Sequence, residues 1–163
     1  FNLFFILIYD NQKKILSTLK SRCLNFKVNL SFNQTIVITK QLLNNDIFSL
    51  MKKKLINFYN SPGDFVNIIN FAKEKKIDLN TYSISSFLSL LIENSYYKKN
   101  SYVKNLIFDF IELYFLKIYK FSTSKNMILN TYQNFTNKVN DTERFNLDVE
   151  SLFIEFKSKV LNG

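Results

Sequence analysis

Residues 102–121 read YVKNLIFDFIELYFLKIYKF, and their spacing decides for helix. Val103, Ile107, Phe110, Ile111, Tyr114 and Ile118 recur every three or four positions, the period of one helix face. Leu113 and Leu116 fall on the other side, among Asp109, Glu112, Lys117 and Lys120. A helix that is apolar on more than one side is either deeply buried or touches a second partner, and both readings stay open. The charges argue against a membrane span.

Helical patterning extends to both sides of this stretch. Downstream, helices are expected over residues 124–139 and 147–161; upstream, over residues 84–95. The polar stretches 96–101 and 140–146 have the length of loops between neighbouring helices of a bundle. Earlier still, Ser61-Pro62-Gly63-Asp64 reads as a helix start, with Ser61 as N-cap, Pro62 at the first helical position and Asp64 near the positive end of the dipole. That helix runs to about Lys76. Residues 47–59 place Ile47, Leu50, Met51, Leu55 and Phe58 on one face of a further helix. Ser31-Phe32-Asn33-Gln34 fits a capping box and opens a helix with apolar surface from Ile36, Ile38, Leu42 and Leu43, closing at Asn44-Asn45-Asp46. A boundary at Ile77-Asp78-Leu79-Asn80 separates three helices in residues 31–80 from a four-helix bundle in residues 81–163.

Composition bounds the chemistry. The 163 residues hold 47% hydrophobic and 17% aromatic side chains, enough to bury a core and too many for a disordered chain. Two glycines and one proline leave little material for hairpins, which argues against an all-β fold. One cysteine excludes an internal disulfide, and the absence of histidine removes a conventional zinc site and the common acid–base triads. The chain therefore reads as reduced and cytoplasmic. The apolar run Leu3 to Tyr9 is too short to cross a bilayer, and no membrane partner is expected. A net charge of +9 permits contact with DNA or anionic surfaces without establishing it, and the run Lys52-Lys53-Lys54 reads as a solvated face. The chain opens on Phe1 inside an apolar run, as the C-terminal part of a longer protein would.

Residues 1–30 follow a different pattern. The apolar run Phe4 to Ile8, the polar break Tyr9 to Lys14, the segment Ile15 to Cys23 and a second apolar run Leu24 to Leu30 suit two strands buried on both faces of a parallel sheet. Functional groups in open α/β sheets sit in loops at the C-terminal ends of such strands. Arg22 lies in this frame, between Ser21 and Cys23. It is one of two arginines, with Arg144, beside 20 lysines. The abundance of Asn, Lys, Ile, Phe and Tyr points to an AT-rich coding bias, under which a retained arginine suggests a need for the planar guanidinium. Cys23 reads as a small buried apolar residue, with no histidine to activate it.

This order, with Ile15-Leu16-x-Thr18-x-x-Ser21-Arg22-Cys23, resembles the end of the AAA+ ATPase core of clamp-loader subunits, and among them the delta-prime subunits of bacterial DNA polymerase III. Ser17 stands where that family often has proline, and Asp10 and Asn11 stand where these ATPases sense phosphate, although a polar turn accounts for them as well. The resemblance implies a mainly α chain: the edge of an AAA+ α/β core in residues 1–30, a three-helix lid in 31–80 and a helical collar in 81–163. It implies that Arg22 acts as a trans arginine finger on ATP-Mg held by an adjacent subunit, with no cofactor bound by this chain itself. Hydrolysing subunits open the lid helix with a pattern like Gly-Ser-x-Arg-Asp; here Gly63 takes the place of that arginine, as in the Ser-Pro-Gly of delta-prime. The implied partners are other clamp-loader subunits, the sliding clamp and primer-template DNA, in a polymerase holoenzyme to which the chain adds no polymerase chemistry. Two alternatives stay open: an ATP-hydrolysing subunit of the gamma/tau type, and a basic helical protein that binds nucleic acid or membranes on its own.

Overall fold

The computed structural model describes residues 5–7, 16–26 and 28–162. The chain is mainly helical, and no strand occurs among the described residues. It divides into two compact units, Phe1–Ser31 and Phe32–Gly163.

In the first unit the described regular structure is one helical turn, α1 (Ser17–Lys20). The strand expected over Leu24 to Leu30 does not form at its described positions, and residues 5–7 of the other expected strand are irregular as well. Leu24, Phe26 and Val28 are more than four-fifths exposed, so the apolar run lies against no sheet that would bury it. A strand needs a neighbour to take its amides and carbonyls, and here there is none among the described residues. Phe4, Ile8, Asp10 and Asn11 lie outside the described residues.

The second unit holds α2 (Phe32–Leu43), α3 (Ile47–Leu50), α4 (Pro62–Glu74), α5 (Ile84–Glu93), α6 (Ser101–Phe121), α7 (Lys125–Arg144) and α8 (Val149–Phe156). Short 3-10 turns occupy Lys53–Leu55 and Tyr96–Lys98, and α8 runs on into a π-helical turn, Lys157–Leu161. One apolar cluster runs through the unit, from Ile47 and Met51 through Phe65, Phe87 and Ile111 to Phe153 and Phe156. Its centre is α6, which buries Val103, Leu106, Ile107, Phe110, Ile111, Leu113 and Phe115. The Tyr102 hydroxyl donates to the Asp64 carbonyl at 3.2 Å, and Phe71 meets Tyr96 edge to face, so helices before and after Asn80 share this core.

Two elements differ from the sequence expectation. The helix expected over Ile47 to Tyr59 stops at Leu50, where Met51 turns to extended backbone. The break lets Met51, Leu55 and Ile56 all face the core while Lys52, Lys53 and Lys54 stay in water. Its freed polar groups are taken up elsewhere: the Lys52 amide donates to the Leu79 carbonyl, and the Asn80 side chain donates to the Ser49 carbonyl. Helix α7, expected to end at Val139, continues through the polar residues to Arg144, where buried Thr142 donates its hydroxyl to the Lys138 carbonyl. Four helices stop at a non-glycine residue in the left-handed region: Asn44, Lys76, Ser95 and Asn146.

Candidate functional site

Local bonds fix the backbone of the Ser21-Arg22-Cys23 triplet. Ser21 caps α1, its amide on the Ser17 carbonyl at 3.0 Å and its hydroxyl on the Thr18 carbonyl at 3.1 Å. The Arg22 amide donates to the Leu19 carbonyl at 3.1 Å. From the other side the Asn25 side-chain amide reaches back to the carbonyls of Lys20 and Cys23, at 3.2 and 3.3 Å. Above this tied backbone Arg22 is exposed, and its guanidinium makes no hydrogen bond or ion pair among the described residues. The guanidinium offers five donors suited to an oxyanion, none of them paired among the described residues. Cys23 is exposed rather than buried, as the strand expected to follow it does not form at its described positions.

The helix start at Ser61 forms as its sequence requires. The Ser61 hydroxyl accepts from the Asp64 amide at 3.3 Å, and the Ser61 amide donates to the Asp64 carboxylate at 2.8 Å, a reciprocal capping box with Pro62 at the first helical position. Gly63 has no conformational or steric need to be glycine. Its φ is not positive, and a Cβ there would meet Ser61 Oγ at an ordinary 3.7 Å.

The sequence only half disclosed a third feature, a groove of about 280 Å³ on the outer side of α6. Leu113, Leu116 and Tyr119 of α6 line it, together with Tyr59 and with Ile128, Leu129 and Tyr132 of α7. Leu113 is buried, yet Leu116 is 55% exposed and Tyr59 is 89% exposed. The second apolar side of residues 102–121 was its signal; Tyr59, lying outside helix after the break at Leu50, gave none. Two charged groups of α6, Asp109 and Lys117, have like charges near them. Partial shielding from water, then repulsion by Asp64 and Glu112, pushes the Asp109 carboxyl up to about 6. Desolvation, then the ammonium of Lys54, lowers Lys117, whose Nζ donates to the Lys54 carbonyl.

Among the described residues no three metal-ligating side chains converge, and no helix is long and apolar enough to cross a membrane. No family model, no curated protein and no solved structure matches this chain.

Proposed function

We propose that the chain serves DNA replication as a clamp-loader subunit of the delta-prime kind, offering Arg22 to ATP-Mg bound by a neighbouring subunit. The observation that carries this reading is the state of Arg22: backbone tied on both sides, side chain exposed and unpaired among the described residues. The Ser21-Arg22-Cys23 frame and the Ser61-Pro62-Gly63 helix start add the sequence resemblance. No strand forms at the described positions of Leu24 to Leu30, so the AAA+ core edge rests on that resemblance. On this reading the lid, the collar, the cytoplasmic setting, the other subunits, the sliding clamp and primer-template DNA come with the family. The chain itself performs no nucleotide chemistry.

An arginine finger stabilises charge that grows on a phosphoryl group during transfer, and in GTPases it is worth roughly 10³ to 10⁵ in rate. Arg22→Lys keeps the charge and loses the fork, so in the assembled complex it should behave nearly like Arg22→Ala. Because one interface of the ring depends on it, total ATP turnover should fall in part and clamp loading further. The measurement is clamp-dependent ATP turnover and clamp loading by reconstituted complexes of equal subunit content. Normal loading with Arg22→Ala would remove the residue from the mechanism. Saturable binding of ATP-Mg to the chain alone at micromolar concentration would favour the hydrolysing subunit instead.

A further inference from the structure

The outer stripe of α6 carries its charges in a fixed order. Asp109 and Glu112 come first, Leu116 lies in the middle and Lys120 follows, all four exposed. Their spacing of three, four and four residues keeps them on one side of the helix. Glu112 and Lys120 stand equally far from Leu116, about 6 Å along the axis in each direction. Neither takes part in an ion pair among the described residues, although Lys98, Lys138, Lys157 and Lys159 all do. The stripe instead has like charges at each end, Asp64 with Asp109 and Glu112, and Lys54 with Lys117.

We propose that this face docks on the same face of a second copy of the chain, the two α6 helices antiparallel and Leu116 at the two-fold axis. Such an axis sets position 116 minus n against position 116 plus n. Glu112 of each copy therefore meets Lys120 of the other, and the pairing occurs twice. A parallel arrangement would set Glu112 against Glu112 and Lys120 against Lys120, so the charge order selects the antiparallel one. Leu116, Tyr59 and Leu129, exposed at the groove, supply the apolar centre, and the opposite charges form its rim. The chain is its own partner because a stripe that runs acidic, apolar, basic is complementary to itself reversed. This contact is argued from residues of the second unit alone, so either proposal can fail without the other.

Sedimentation equilibrium of the whole chain over a concentration series tests it. Wild type should form a dimer. Glu112→Lys, or Lys120→Glu, sets like charges opposite each other twice and should weaken association at least about tenfold. The double variant Glu112→Lys with Lys120→Glu exchanges the two signs and should restore the wild-type dimer. Leu116→Asp should be monomeric. Circular dichroism checks folding, which exposed charge reversals leave intact. A monomeric wild type, single reversals that associate normally, or a double variant that stays monomeric would each overturn the proposal.

Discussion

The two arginines of the chain stand in different company. The Arg144 guanidinium lies 5.3 Å from the centre of the Phe145 ring, a local contact that gives a planar cation a place. Arg22 has no such contact among the described residues, in a chain that holds two arginines beside 20 lysines. At the same scale Asp109 makes a separate prediction. Its folded pKa, about 6, lies above the ordinary carboxylate value, so the folded state holds the proton more tightly than the unfolded one. The stability lost by ionising it is absent below about pH 4 and complete above about pH 6. Asp109→Asn should therefore raise the melting temperature at pH 7.5 in dilute solution and leave it unchanged at pH 4. Thermal melts at the two pH values check this; an equal gain at both would show that charge is not the cause.

At the scale of elements, legibility followed locality. Helices α4, α5 and α6 could be read because their caps and apolar faces lie within the segment, as with Ser61 and Asp64 or Ser83 and Ser86. The break at Leu50 could not, since the groups that satisfy it, Leu79 and Asn80, lie far along the chain. The apolar run at Leu24 misled for the related reason that a strand is a property of its neighbours. Helix α8 shows the reverse case, short but anchored by buried Leu152, Phe153 and Phe156. Phe153 is fully buried, with its ring 5.0 Å from Tyr97 and 5.1 Å from Phe108. Phe153→Ala should cost about 3–5 kcal/mol by leaving a cavity among these rings. Urea denaturation should show a lower midpoint, and a loss under about 1 kcal/mol would mean that the last helix is not part of the cooperative core.

For the whole molecule, the chain divides into two compact units, Phe1–Ser31 and Phe32–Gly163. The sequence named residue types for the candidate site but not their geometry: it placed Arg22 beside a strand that does not form at its described positions. The scarcity of glycine has a further effect on the chain as a whole. Asn44, Lys76, Ser95 and Asn146 hold left-handed backbone at helix ends, where glycine is the residue without a steric penalty. The Ile77 amide still closes on the Ala72 carbonyl at 2.8 Å past Lys76, so the stop forms in spite of its residue. Lys76→Gly should gain about 1 kcal/mol, and the two asparagines less, because short amides tolerate that region. A melting temperature no higher in Lys76→Gly than in wild type would refute this. The scarcity of glycine at these helix ends thus leaves thermal headroom in the chain, at positions remote from Arg22 in sequence, which an engineer could recover.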